Sequence, residues 1–349
     1  MISVYDQASL EALRKRTGIQ PFDLKRFRNA LYKKAFEKES ALAVLPEAAR
    51  AAFSQSLCFE PLKLSERHDS AVDGATKLGF HTHDGLLIES VILRVKSGRT
   101  ALCVSSQVGC ACKCGFCATG ALGFIRNLTR DEMLDQVAQA NRLLQKEECT
   151  VRNIVFMGMG EPLLNTEPLF QALELLSAPA GFDYSQSRLM VSTVGIPAGM
   201  LSCAEQFPNV QQALSLHSAR QAVRERLLPI AHQYSLEALQ DTIRTVGANG
   251  DVMIEYLMLE GINDGEQDYA ALCRYLQGLP VHINIIPYNA FEGSSWHGTP
   301  QCARVAFANR LKSAGFKVTQ RYSLGLDIAA ACGQLAGEHL NDIKREKGE

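Results

Sequence analysis

Gly109-Cys110-Ala111-Cys112-Lys113-Cys114-Gly115-Phe116-Cys117 carries four of the chain's 11 cysteines. Cysteines this dense are not core filler; a cluster of thiolates points to a metal or an iron–sulfur centre. Two spacings are nested here, C-x3-C-x2-C over Cys110, Cys114 and Cys117, and a bare C-x2-C over the last two. A structural zinc site takes four ligands, usually as two C-x2-C pairs, and no second pair exists in the chain. Three thiols in one short loop suit a cubane cluster with one iron left open better than they suit zinc.

The 349 residues are 46% hydrophobic and 21% charged, enough to bury a full core in one large domain with a smaller one beside it. No run of about 18 apolar residues is present, so no membrane-spanning helix is expected. Met1-Ile2-Ser3-Val4-Tyr5-Asp6 lacks the basic and apolar regions of a signal peptide. Many cysteines without an export signal fit a reducing compartment, so the cytoplasm is expected. The net charge of -1 excludes a chain that is cationic throughout. Residues 1–40 nevertheless hold nine Lys/Arg against five Asp/Glu, among them Arg14, Lys15, Arg16, Lys25, Arg26, Arg28, Lys33 and Lys34. Taken alone, that excess reads as a solvated helix face.

Residues 1–75 read as a small helical unit, with Leu10, Leu13, Phe22, Leu24, Phe27, Leu31 and Phe36 at helical intervals and breaks at Gly18 and Pro21. Ser65 to Gly79 reads as an extended linker strand, and Leu86 to Val95 as β-rich, with Glu89 its only acid. A linker or β extension over 76–100 is therefore expected. From Ala101 strands alternate with helices: strands at 101–107, 151–157, 188–193, 210–216, 252–259, 281–287 and 316–322, with helices such as 130–146, 166–177, 235–247, 266–278 and 303–314 between them. Thr129 and Glu132 make a capping box for the first helix. This order predicts parallel βαβ units, and the absence of a Gly-x-Gly-x-x-Gly turn favours a partial barrel over 101–336 to a dinucleotide-binding sheet. A tail follows at 337–349.

Parallel barrels gather functional groups at the C-terminal ends of their strands. There the chain places the cysteine loop, Met157-Gly158-Met159-Gly160-Glu161-Pro162, Ser192-Thr193, Ser215-Leu216-His217, Pro287-Tyr288-Asn289, and Asp327 to Gly333 with Cys332. Individually these are ordinary: a tight glycine turn, a core histidine, cap residues, small buried thiols at Cys103 and Cys332. Cys58, Cys149, Cys203, Cys273 and Cys302 have no partner spacing and read as core or surface thiols.

Together the residues resemble a known family. Cys110-x3-Cys114-x2-Cys117 with Phe116 looks like the radical S-adenosylmethionine (SAM) superfamily. Cys103-Val-Ser-Ser-Gln-Val-Gly-Cys110, Gly158-Met-Gly-Glu-Pro162, Ser215-Leu-His217 and Ala330-Ala-Cys-Gly-Gln-Leu335 resemble its RlmN/Cfr branch of RNA adenosine methyltransferases. The resemblance implies an α/β fold, a partial (βα)6-type barrel with a small N-terminal helical domain that contacts RNA. It implies that Cys110, Cys114 and Cys117 hold a [4Fe-4S] cluster. Gly160, Glu161, Ser192, Ser215, Leu216, His217 and Asn289 would contact SAM. Cys332 would carry the methyl group, Cys103 would resolve the adduct, and Glu89 would be the acid/base; Met157 falls at a methionine near the cysteine pair.

The implied substrate is an adenosine of 23S rRNA, with tRNA as a second candidate, and the implied electron donor is a flavodoxin-type protein; a monomer is expected. Ring carbons C2 and C8 of adenine are electron-poor and cannot attack a sulfonium methyl directly, which is why a radical route through a methylated cysteine is needed. Two departures stand out. Cys112 is an additional thiol, expected to be a bystander. Leu324-Gly325-Leu326-Asp327-Ile328 replaces the Arg-Gly-Asp-Asp-Ile common in the C2-methylating branch and is closer to the C8-methylating, antibiotic-resistance branch. C2 methylation is the expectation and C8 the alternative. Another radical SAM enzyme would have no use for Cys103 and Cys332, and a zinc-stabilised RNA-binding module would lack iron.

Overall fold

The computed structural model describes residues 1–95 and 98–335. Four helices come first: α1 (Gln7–Thr17), α2 (Pro21–Tyr32), α3 (Lys38–Ala43) and α4 (Glu47–Ser56). Asp6 caps α1 by accepting from the Ala8 and Ser9 N–H groups, and Gly18 ends it in the left-handed region at φ 70°. Phe27, Phe53 and Phe59 meet edge to face in the unit's core. A pair of two-residue strands, β1 (Ile2–Ser3) and β2 (Leu57–Cys58), ties its two ends together.

The main sheet begins with an antiparallel run, β3 (Lys63–Asp69), β4 (Ala75–His81) and β5 (Leu87–Arg94), joined to β6 (Thr100–Cys103). The expected single linker strand at 65–79 is thus a hairpin turning at 70–74, and the β extension starts at Lys63, inside the stretch assigned to the helical unit. After β6 come β7 (Gln107–Gly109), α5 (Ala118–Leu122), β8 (Phe124–Asn127), α6 (Arg130–Gln145) and β9 (Asn153–Phe156). Then follow α7 (Thr166–Ser177), β10 (Leu189–Thr193), α8 (Pro197–Gln206), β11 (Gln211–Ser215), α9 (Gln221–Leu227) and α10 (Leu236–Val246). The series closes with β12 (Val252–Met258), α11 (Glu266–Leu276), β13 (Val281–Pro287), α12 (Gln301–Ser313) and β14 (Lys317–Gln320).

β6 and β9 through β14 are parallel neighbours in chain order, so all seven expected strands are present. Each connection passes through at least one helix and advances one strand, the pattern of a barrel. The sheet does not close: β14 forms one edge, and β5, β4 and β3 extend the other. The expected partial barrel is the observed fold. The first strand is shorter than its expected 101–107, because Ser105 N–H donates to the Gln136 side chain of α6 (2.8 Å) and leaves the strand ladder. The Thr129–Glu132 capping box forms as expected, with Thr129 N–H donating to Glu132 at 2.8 Å. Helices α8 and α9 were not expected; Pro197 and Gly199 obscure the first and a single buried arginine, Arg224, the second. Residues 336 and the tail 337–349 lie outside the described residues. Among the described residues, no helix is long and apolar enough to cross a membrane.

A buried carboxylate joins the helical unit to the barrel. Asp135 of α6 accepts from Tyr5 Oη (2.8 Å), Leu62 N–H (3.0 Å) and Gln139 Nε2 (2.8 Å). Burial outweighs these bonds and pushes its pKa up to about 6. A carboxyl whose pKa is higher folded than unfolded binds extra protons in the native state. Its stabilising contribution is full below about pH 4 and is lost as pH rises through about 6. Chemical denaturation of the wild type and Asp135→Asn between pH 4 and 7 checks this. The wild type is expected to lose on the order of 1–3 kcal/mol relative to the variant across that window, and a constant difference would contradict it.

Candidate functional site

The cysteine loop leaves β7 at a glycine that no other residue could replace. Gly109 has φ 74°, and a Cβ there would sit 1.8 Å from the Gly123 carbonyl oxygen. Cys110 N–H donates to that carbonyl (2.9 Å), and Gly115 N–H to Leu227 O (3.2 Å). The loop ends at Cys117, the N-cap of α5. Cys110, Cys114 and Cys117 all line one cavity of about 1050 Å³ at the C-terminal ends of the strands. Burial and the neighbouring thiols Cys117 and Cys110 push Cys114 up, and Cys117 is pushed up to about 11. Mutually destabilised buried thiolates are what a bound metal's positive charge offsets. Among the described residues, no three thiol, imidazole or carboxylate groups are preassembled at metal-holding distances. Cys112 acts on the Cys110 thiol and lowers it, but is itself buried and does not line the cavity. The donor set of three soft thiols in one open cavity fits an iron–sulfur cluster held by Cys110, Cys114 and Cys117.

The same cavity is lined by six of the seven expected SAM-contacting residues, Gly160, Glu161, Ser192, Ser215, His217 and Asn289. Gly160 has φ 99° and a Cβ there would be 2.5 Å from Gln107 Cβ, so glycine keeps the turn open beside Glu161. Glu161 accepts from Leu163 N–H (3.1 Å) and Val194 N–H (2.9 Å); burial still pushes its carboxyl up to about 7. Ser192 and Ser215, at the ends of β10 and β11, line the cavity. His217, in the left-handed region at φ 55°, accepts from Leu257 N–H through Nδ1 (3.1 Å), and its ring meets Phe116 of the cysteine loop edge to face at 4.8 Å. Burial lowers it to about 3, so the imidazole is neutral at physiological pH. Leu216 is buried and does not line the cavity. Asn289 lines it, but its amide is occupied, donating to Cys332 O at 3.0 Å and accepting from Ser323 Oγ.

Cys332 lies on a loop clasped to the cysteine loop. Ala118 N–H donates to Gly333 O (2.8 Å), Thr119 Oγ1 to Leu335 O (3.0 Å), and Gln334 Nε2 to Ala290 O (2.7 Å). Cys332 and Cys103 line the same cavity. Burial and the neighbouring Cys332 push Cys103 up to about 12; Cys332, exposed at the cavity, has its thiol raised by partial desolvation there. The Arg321 guanidinium opposes both shifts. It also donates to Met157 Sδ at 3.6 Å.

Sequence reasoning missed two charged residues of this wall, Arg321 and Glu255. Glu255 is buried, accepts from Asn284 Nδ2 (3.1 Å), and has its carboxyl raised by burial. Its signal was available, since it is the only charged residue in the apolar strand Val252-Met-Ile-Glu-Tyr-Leu-Met258. Glu89 is not brought to the cavity wall. It is buried with Lys77, whose Nζ lies 3.2 Å from Glu89 Oε1.

The fold and a thiol-rich cavity of this design define a radical SAM methyltransferase. A solved radical SAM methyltransferase from Sphaerobacter thermophilus superposes with a TM-score of 0.91 at 33% identity, covering 97% of this chain and 100% of that one. No family profile matches the chain. A protein of Rhodopirellula baltica named as a probable RNA methyltransferase is 48% identical over 96% of this chain and 87% of its own length. The dual-specificity RNA methyltransferase RlmN of Desulfotalea psychrophila is 42% identical over 77% and 76%, and a probable RlmN of Thermus thermophilus 39% over 88% and 86%. The chain belongs to the RlmN-type family of RNA methyltransferases.

The site predicts a selective loss. Anaerobic reconstitution with iron and sulfide is expected to give a brown protein with about four irons per chain. Cys112→Ala should retain that absorbance and Cys114→Ala should lose it. Loss in both, or retention in both, would contradict the three-ligand assignment.

Proposed function

We propose that the protein methylates C2 of an adenosine in 23S rRNA, and of an adenosine in tRNA, through a methyl group carried on Cys332. The observation that carries this reading is the meeting of Cys332 and Cys103 in the cavity lined by the cluster thiols. Cys332 takes a methyl group from one SAM by displacement, and Arg321 favours the thiolate that attacks. Cys110, Cys114 and Cys117 would hold a [4Fe-4S] cluster, which would supply the electron that cleaves a second SAM, and the Cys332 methyl group would give up the hydrogen atom that the resulting radical takes. The Cys332 methylene radical would then bond to the ring carbon, and the ring radical so formed would give up one electron, with the oxidised cluster as acceptor, and its ring proton, leaving RNA joined to Cys332 through a methylene. Glu89 is the proposed base for the ring proton. It shares a strand face with Val91 and Leu93, which line the cavity, and Lys77 Nζ lies 3.2 Å from its Oε1. Cys103 thiolate attacks the Cys332 sulfur, a disulfide forms, and the methylene carbon leaves with the electron pair and takes a proton to become the methyl group.

Gly160, Glu161, Ser192, Ser215, His217 and Asn289 are the proposed SAM contacts, with Leu216 able to contribute only backbone. Lys15, Arg16, Lys25, Arg26, Lys33 and Lys34 are exposed on or just after α1 and α2, which supports the helical unit as a phosphate-contacting surface. A monomer working in the cytoplasm with a flavodoxin-type electron donor completes the reading. One observation favours C8 as a second target: Leu324, at the position where the C2 branch carries arginine, lines the cavity. Nucleoside mass spectrometry of ribosomal and transfer RNA, from cells with and without the protein, decides between them. The expected result is 2-methyladenosine that disappears with the protein; 8-methyladenosine in its place would overturn the C2 assignment.

A further inference from the structure

Large apolar side chains are exposed at eleven positions among the described residues, and four of them surround one opening. Val72 and Tyr322, each 80% exposed, line the cavity mouth together with Val95, and Leu326, 54% exposed, stands beside them. An exposed apolar cluster at the rim of a site is a recognition surface more often than an accident.

The rim is held in place. Asp327 accepts from Ser70 Oγ (2.8 Å) and Ala71 N–H (3.0 Å), and Gly325 N–H donates to Asp73 Oδ2 (2.9 Å). Gly325 has φ 75°, and a Cβ there would approach Ala330 Cβ to 2.8 Å and Ala75 Cβ to 3.0 Å. The turn carrying Val72 and the segment carrying Leu326 are therefore fastened to each other. Tyr322, two residues after the end of β14, presents its ring without a hydrogen-bond partner for its hydroxyl among the described residues. The charged Arg and Asp of the C2-methylating branch are Leu324 and Leu326 here. This rim thus offers an aromatic face and aliphatic edges.

We propose that Tyr322, flanked by Val72 and Leu326, is a stacking ledge for an unpaired RNA base adjacent to the target adenosine. The inference rests on the RNA-modifying reading of the site. An adenosine that enters the cavity must leave its stack. Its neighbour then loses one stacking face to water. An exposed aromatic ring at the mouth replaces that face regardless of base identity, because every base has a π-face. The patch is a few side chains wide, which suits a base and is too small for a stable protein–protein interface.

The test uses the full-length protein and an RNA stem-loop with an unpaired target adenosine and 2-aminopurine at the adjacent position. Wild type is expected to change the 2-aminopurine fluorescence on binding. Tyr322→Ala should bind the stem-loop roughly tenfold more weakly, within what one stacked base contributes, while Tyr322→Phe should bind within about twofold of wild type, since the ring does the stacking. A fully paired duplex of the same length should not distinguish the three proteins. Equal stem-loop binding by Tyr322→Ala and wild type overturns the ledge, as does equal weakening by alanine and phenylalanine. Absence of any methyladenosine product from wild type would instead overturn the proposed function.

Discussion

Two hydrogen bonds hold the site together. Ala118 N–H to Gly333 O and Thr119 Oγ1 to Leu335 O join loops that are 216 residues apart in the chain. One loop presents the three clustered thiols and the other presents Cys332. Gly333 makes the approach possible: at φ 88°, its position leaves only 3.2 Å between a would-be Cβ and the Phe116 carbonyl oxygen. Asn289 and Gln334 extend the same clasp to the end of β13. The barrel's role is to bring these loops to one rim, since strands added in chain order leave every loop after a strand on the same side.

Charge in the cavity is arranged around what binds there. Burial keeps Cys114, Cys117 and Glu161 from ionising easily and keeps His217 neutral. A cavity of this kind favours cationic occupants, which restore the thiolate and carboxylate forms. Arg321 supplies a guanidinium that acts on both Cys103 and Cys332, and Glu255 balances it. In the proposed reaction the two cysteines have opposite tasks, one accepting a methyl group and one breaking the resulting bond, and a shared cation would serve both as thiolates.

Local patterns made much of this legible in the sequence. The cysteine spacing, the Thr129–Glu132 capping box and the seven alternating strands are each written within a few residues of one another. What could not be read depends on partners distant in the chain. The end of β6 is set by Gln136 on another element. Cys110 meeting Cys112, and Glu89 meeting Lys77 rather than the cavity, are outcomes of packing that no spacing encodes. The Asn289 amide also binds the Cys332 loop, which arrives from the far end of the chain. Arg321 and the exposed ring of Tyr322 follow β14 directly, and only the folded rim gives them meaning.

The central claim is that Cys332 carries the methyl group and Cys103 releases the product, and intact-protein mass spectrometry of Cys103→Ala tests it most directly. Purified from cells, that variant is predicted to carry RNA covalently attached at Cys332, which nuclease digestion trims to a nucleotide-sized mass increment. The double variant Cys103→Ala/Cys332→Ala should carry none. A Cys103→Ala protein of unmodified mass that still forms methyladenosine at the wild-type rate would contradict the account.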